Sequence, residues 1–294
     1  MTVSIDIQAK TEVLTEALPY IQQFKGSIFI VKFGGSFMDT EQARVGVATD
    51  LVFLATVGIN VIVVHGGGPA INKAMADASI EPVWKNGLRY TDEQTVGIVE
   101  KTLNNKINLD VCENIQARGG RPISVHGQQL FKCKRLESDS DGNPVDLGFV
   151  GTVTSVETST LRKYLDENYT PIVSPLACDT DGQVYNVNAD TAAAHLASAI
   201  GARRLVYLCD VPGLLRDPSD PDSLISSVSE AELPDLRKAG VIGSGMLPKV
   251  ESAINALDSG VHRVHLIDGR MPHSILLEIF TDKGVGTEIV HANQ

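Results

Sequence analysis

Apolar residues arrive in short, nearly unbroken runs along this chain rather than in simple alternation. Residues 28–33 (IFIVKF) and 60–65 (NVIVVH) are rich in β-branched side chains, and each run ends on glycine. Residues 121–125, 171–174, 203–208 and 262–267 repeat the pattern. Strands this apolar predict a sheet covered on both faces. Between them, residues 40–57, 92–118, 190–200 and 248–259 read as helices. Strand and helix in alternation predict right-handed crossovers and a mostly parallel α/β sheet. Hairpin-like stretches interrupt it at 130–136, 148–156 and 183–187. Ahead of the first strand, Val13, Leu14, Ala17, Leu18, Ile21 and Phe24 form a helical apolar stripe. It either packs on its own subunit or is offered to a neighbouring one. The expected division is an N-terminal helix at 1–26, an N-lobe at 27–175 and a C-lobe at 176–294.

Composition narrows the function. Among 294 residues, 43% are apolar and 21% charged, which supports a globular core. The formal net charge of −11 argues against a general binder of nucleic acid or membrane surface. Cys112, Cys133, Cys178 and Cys209 form no C-x-x-C pair and read as free thiols, which suits a cytoplasmic protein. Asp6 and Glu12, with no basic start before an apolar stretch, do not read as a signal peptide.

Two strand ends lead into glycine clusters, Lys32-Phe33-Gly34-Gly35-Ser36 and His65-Gly66-Gly67-Gly68-Pro69. Ligands of open α/β sheets bind at the carboxyl ends of strands, which is where these turns fall. Glycines let the backbone approach a ligand and present successive N–H groups to it, and Pro69 suits a helix start. The turns are therefore a candidate anion cradle. G-x-x-x-x-G-K-[ST] and G-x-G-x-x-G are both absent, so neither a P-loop nor a dinucleotide fingerprint is present.

Lys32 interrupts an apolar strand; it either reaches solvent at an edge or meets a carboxylate or phosphate. Lys249 follows G-S-G-M-L-P at a helix start, where a cation is disfavoured unless an anion is near. Asp190, in N-V-N-A-D, either caps the following helix or belongs to a polar cluster that orients lysines and a ligand. Arg89, in N-G-L-R, could hold a carboxylate in bidentate fashion. No metal-ligating set is singled out.

The motifs K-F-G-G, V-V-H-G-G-G, N-G-L-R, N-V-N-A-D and G-M-L-P-K stand in the order and spacing of the amino acid kinase family. The chain resembles that family from about residue 28 to 289, and within it the acetylglutamate kinases. The resemblance implies an open αβα sandwich that transfers a phosphoryl group from ATP, carried with Mg²⁺, to the side-chain carboxylate of N-acetyl-L-glutamate, in arginine biosynthesis. It implies Lys32 and Lys249 as catalytic lysines organised by Asp190, and Gly34 and Gly35 on the ATP phosphates. Gly67, Gly68, Arg89 and Asn186 would hold the acetylglutamate. N-acetyl-2-aminoadipate, one methylene longer, and a non-catalytic sensor on the same scaffold are the alternatives.

The N-terminal helix resembles the element that links dimers into a hexamer, a trimer of dimers, in arginine-inhibited members. The segment H-S-I-L-L-E followed by G-V-G-T resembles their arginine-binding segment, which implies His273, Glu278 and Gly286 as allosteric residues. Some members also bind a nitrogen-signalling regulatory protein.

Overall fold

The computed structural model describes residues 7–34, 40–85, 87–138, 142–243 and 245–292. Helix α1 (Ile7–Phe24) precedes β1 (Ile28–Phe33), α2 (Glu41–Thr56), β2 (Asn60–His65) and α3 (Gly68–Asp77). A small hairpin, β3 (Trp84–Lys85) and β4 (Leu88–Arg89), leads to α4 (Glu93–Thr102), a π turn (Leu103–Ile107) and α5 (Asn108–Gln116). Then come β5 (Pro122–Val125), β6 (Phe131–Arg135), β7 (Gly151–Val156), α6 (Ser159–Asp166), β8 (Thr170–Val173), β9 (Leu176–Cys178) and β10 (Val184–Asn186). The chain closes with α7 (Ala189–Ile200), β11 (Arg204–Cys209), β12 (Ser227–Ser229), α8 (Leu233–Lys238), α9 (Leu247–Asp258), β13 (Arg263–Asp268), α10 (Ser274–Phe280) and β14 (Thr287–Val290).

Eight strands form the main sheet in the order β12-β14-β13-β11-β1-β2-β8-β5. All its pairings are parallel except β13 with β14. The fold class read from the sequence is therefore the one observed. A second sheet, β10-β9-β6-β7, carries the hairpin-like stretches.

Side chains alternate across the sheet and build a core on each face. Phe29, Val31 and Phe33 of β1 join Leu51 and Leu54 of α2, Val111 and Ile115 of α5, and Ile275 of α10. Ile30 joins Ala193, Leu196 and Ala197 of α7 and Ala253 and Leu257 of α9. Lys32 shares the side of Ile30 and so points toward α7 and α9, not toward a sheet edge. The segment expected as one helix over 92–118 is broken by its π turn, where the Asn108 N–H reaches back to the Leu103 carbonyl.

The apolar stripe of α1 is split. Ala17, Tyr20, Ile21 and Phe24 pack inward, whereas Leu14 is 73% and Leu18 49% exposed. Cys133, Cys178 and Cys209 are buried and Cys112 half-buried, all as free thiols. No helix among the described residues is long and apolar enough to cross a membrane.

Candidate active site

The strand order reverses at β1. The chain leaves it through α2 to β2 on one side, while β11 and β13 lie on the other. A crevice at such a switch point is where open α/β sheets bind ligands. A cleft of about 580 Å³ opens there, lined by Lys32 and Gly34 after β1, Gly67 and Gly68 after β2, and Asp210 after β11. Arg89, Asn186, Asp190 and Lys249 line it too. Of the residues expected to form the site, Gly35 lies outside the described residues.

Two lysines from distant parts of the chain meet on one carboxylate. Lys32 Nζ lies 2.5 Å from Asp190 Oδ1, and Lys249 Nζ lies 3.0 Å from Asp190 Oδ2. Lys32 and Asp190 are only 6% and 5% exposed. Burial alone would raise the Asp190 pKa, but the two ammonium groups outweigh it and hold the carboxyl below its usual range. Burial also acts to lower the Lys249 pKa, and Asp190 reverses that, raising it above the ordinary lysine value.

Asp190 is free for this work because it does not cap its helix. Asn188 is the N-cap, accepting from the N–H groups of Asp190 and Thr191 at 2.8 and 3.1 Å. Both residue types are good caps, and sequence alone leaves the choice open. The Tyr207 hydroxyl, fully buried, donates to the Asp190 carbonyl at 3.1 Å and pins the first turn of α7. Lys249 stands in the first turn of α9 with Pro248 before it. Both cationic side chains therefore lean on a helix start that is compensated by a carboxylate.

Across the cleft, Arg89 is 5% exposed, yet its partners among the described residues are all uncharged. Its Nη2 donates to Asn72 Oδ1 at 2.5 Å and approaches the Gly68 carbonyl at 3.5 Å; Nη1 contacts Met75 Sδ at 3.2 Å. Its guanidinium lies 4.6 Å over the ring of Trp84. A cation buried without a counter-charge is costly unless an anion joins it. Burial keeps its pKa below the ordinary arginine value. Asn186 faces the same space, with its amide 3.4 Å from Thr91 Oγ1.

The glycine turn after β2 leads into α3, with Gly67 as N-cap and Pro69 in the first turn. A Cβ on Gly67 would come within 2.6 Å of Leu103 Cδ2 and Ile107 Cδ1, whereas one on Gly68 would meet nothing. Close packing against the π turn, not an unusual φ, is what demands glycine at position 67.

The allosteric residues expected from the sequence do not all meet. Glu278 Oε2 accepts from the N–H groups of Val285 and Gly286 at 2.7 and 2.9 Å. His273 is elsewhere: its Nδ1 pairs with Asp50 Oδ1 at 2.6 Å. It sits in the left-handed region at the start of α10, five positions before Glu278, and turns toward α2. The imidazole that faces Glu278 is His265, at 2.7 Å. Burial pushes the Glu278 carboxyl up, but the His265 contact and the two N–H groups win and hold it below its usual range.

Asn72, Trp84, Asp210 and His265 were not singled out in the sequence. Asp210 directly follows β11, as Gly34 follows β1, and that strand-end position was the available signal. His265 lies within a strand pattern, and Asn72 and Trp84 stand at exposed positions of α3 and β3 that nothing in the sequence marks. Among the lining carboxylates, Asp190 is already engaged by two lysines, which leaves Asp210 as the one suited to face a cation carried by a ligand. Glu230, Asp258 and His291 bring their ligand atoms within 4.8 Å of one another, but none lines the cleft.

Comparison with known proteins identifies the family. Residues 27–268 match the model of the amino acid kinase family. Acetylglutamate kinase of Akkermansia muciniphila is 46% identical over 96% of this chain and 95% of its own. The enzyme of the same name from Thermosynechococcus vestitus is 44% identical over 97% and 95%. Among solved structures, N-acetylglutamate synthase from Neisseria gonorrhoeae, complexed with coenzyme A and N-acetyl-glutamate, is similar at a TM-score of 0.84 and 26% identity. That alignment covers 95% of this chain but only 63% of the synthase, so the chain spans less than two thirds of that protein. The chain belongs to the amino acid kinase family, on the branch whose curated members are named acetylglutamate kinase.

Proposed function

We propose that the protein transfers the γ-phosphoryl group of ATP to the side-chain carboxylate of N-acetyl-L-glutamate. One observation carries the reading: a buried arginine whose partners among the described residues are all uncharged faces, across one cleft, two lysines joined by a single carboxylate. A dicarboxylate held by Arg89 at its α-carboxylate presents its other carboxylate toward the lysines. That carboxylate is ionised at pH 7, since its ordinary pKa is about 4.3, so the reaction needs no general base. A carboxylate oxygen forms a bond to the γ-phosphorus as the bond to the bridging oxygen breaks and ADP leaves. The work of catalysis is to hold two anions in line and to neutralise charge on the transferring oxygens. Lys32 and Lys249 supply that charge, and Asp190 keeps both in place. Gly67 and Gly68 take the acetylglutamate side, with Asn186 near its acetamido group; Gly34 and Gly35 take the phosphates. Mg²⁺ would arrive with the nucleotide, with Asp210 a carboxylate that lines the same cleft.

The same reading assigns 27–175 to acetylglutamate and 176–294 to ATP, and places the enzyme in the cytoplasm. It also includes arginine feedback through Glu278 and Gly286, with His265 rather than His273 as the imidazole beside them. A hexamer joined through α1 is supported by Leu14 and Leu18, apolar side chains that stand exposed on the helix whose Ala17, Tyr20, Ile21 and Phe24 pack inward. Light scattering tests the assembly, and an arginine titration tests the feedback. Binding of a nitrogen-signalling protein has no support beyond the family.

The reaction is tested by trapping the acyl phosphate with hydroxylamine in the presence of Mg²⁺ and ATP. Hydroxamate from N-acetylglutamate, and much less from N-acetyl-2-aminoadipate, is the expected result. ATP binding without hydroxamate from either would point to a sensor.

A further inference from the structure

Beneath the second glycine turn lies a buried histidine whose hydrogen bonds leave it one chemical form. His65 ends β2, is wholly buried, and has Nδ1 3.0 Å from the Gly66 carbonyl oxygen. Its Nε2 lies 3.2 Å from the side-chain amide of Asn108, which is also wholly buried. The amide orientation of Asn108 is settled by a third group. The Ile172 carbonyl lies 2.7 Å from the same atom, and a carbonyl only accepts, so that atom must be the NH₂ donor. An NH₂ facing His65 requires a bare Nε2. The Gly66 carbonyl requires a proton on Nδ1. Both conditions are met by the neutral Nδ1–H tautomer and by no other form.

The consequence reaches the cleft through one peptide plane. Across a trans peptide the C=O and the following N–H point in opposite directions. With the Gly66 carbonyl drawn toward His65, the Gly67 N–H points away from it, and Gly67 lines the cleft. Leu103 and Ile107 of the π turn close on Gly67 from the side, and Asn108 follows them directly. We propose that His65 and Asn108 are positioning residues: Asn108 sets the tautomer of His65, and His65 holds the Gly66–Gly67 peptide so that its N–H serves the acceptor substrate. The proposal rests on the acetylglutamate reading of that turn.

The tautomer is read directly on the intact protein labelled with ¹⁵N-histidine, using His65→Asn to assign the signal. The Nδ1–H pattern at pH 7 is expected; an Nε2–H or doubly protonated ring overturns the proposal. Kinetics test the coupling. Asn108→Leu removes the donor to Nε2, and His65→Gln moves the donor out of place; each should raise KM for N-acetylglutamate about tenfold or more, with KM for ATP within about twofold. His65→Asn keeps an amide N–H close to the Nδ1 position and should restore KM to within about threefold of wild type. Unchanged KM in Asn108→Leu and His65→Gln, or equal losses in kcat, both KM values and melting temperature, would mean packing alone. A wild-type protein that does not turn over N-acetylglutamate overturns the substrate, while the tautomer on the same sample still decides the geometry.

Discussion

Lys249 donates a 3.0 Å hydrogen bond to Asp190, 59 residues away in the chain, across the seam where two helix starts converge. The other carboxylate oxygen belongs to Lys32. One buried anion thus sets the spacing of two cations, and the three act as a unit. Lys32→Ala and Lys249→Ala should each lower kcat about 10²–10³-fold while circular dichroism stays native. Near-normal turnover in either variant removes that lysine from the mechanism.

Asp190→Asn keeps the shape of the side chain but leaves two ammonium groups facing each other in a dry site. Stripping one partner from a buried ion pair costs about 3–5 kcal/mol. The variant should therefore lose both activity and stability, whereas Lys249→Ala, at a more open position, should lose mainly activity. Urea midpoints for the two variants check the contrast.

Arg89→Lys keeps a positive charge and discards the planar fork that meets Asn72 and Trp84. A charged hydrogen bond is worth about 1.5–3 kcal/mol, so KM for N-acetylglutamate should rise about 10–100-fold, with KM for ATP little changed. Steady-state kinetics with each substrate varied in turn separates the two.

Trp84 is the single tryptophan of the chain, half exposed beside the cleft and stacked on Arg89. Its emission should therefore shift when N-acetylglutamate pairs with Arg89. The response should weaken in Arg89→Lys. A flat titration in a protein that turns over the substrate would argue that the ligand does not reach Arg89.

Acid should weaken the fold through His65. Burial holds its pKa down to about 4, against 6.5 in the unfolded chain. As pH falls the unfolded state takes up a proton first, so the stability His65 contributes is whole above pH 6.5 and lost between 6.5 and about 4. The linkage is worth roughly 3 kcal/mol. Asp190, held below the usual carboxylate range, acts lower: its contribution is present above about pH 3.9 and lost beneath it. Urea midpoints between pH 7.5 and 4.5 should fall less steeply for His65→Asn than for wild type.

Much of this fold can be read from residue order because its strands are apolar runs stopped by glycine or another turn signal. Residues 28–33 and 60–65 are the strands β1 and β2 to the residue. Helices α6, α8 and α10 and strands β3, β4, β9, β12 and β14 were not read, being short or mixed in pattern. The π turn was invisible because apolar positions at 99, 103, 107 and 111 keep a helical spacing through it. At the site, Lys32 announces itself as a charge where burial is expensive, whereas Asp190 reads equally as a helix cap or as part of a polar cluster. The setting of Arg89 does not, since Asn72, Met75 and Trp84 come from separate elements and meet only on folding. His273 and His265 show the same limit: the resemblance of the H-S-I-L-L-E segment pointed to the first, whereas the sheet sets the second beside Glu278.

The π turn also has an evolutionary side. Its hydrogen bond from Asn108 to Leu103 spans one residue more than an α-helical bond. Losing a single codon within 103–107 would let α4 and α5 run on as one regular helix over the same core. Such a lineage would keep its architecture and forfeit the surplus residue that seats Leu103, Ile107 and Asn108 around the glycine turn. Inheritance of the scaffold and inheritance of the chemistry can part company there, at a change too small for overall similarity to register.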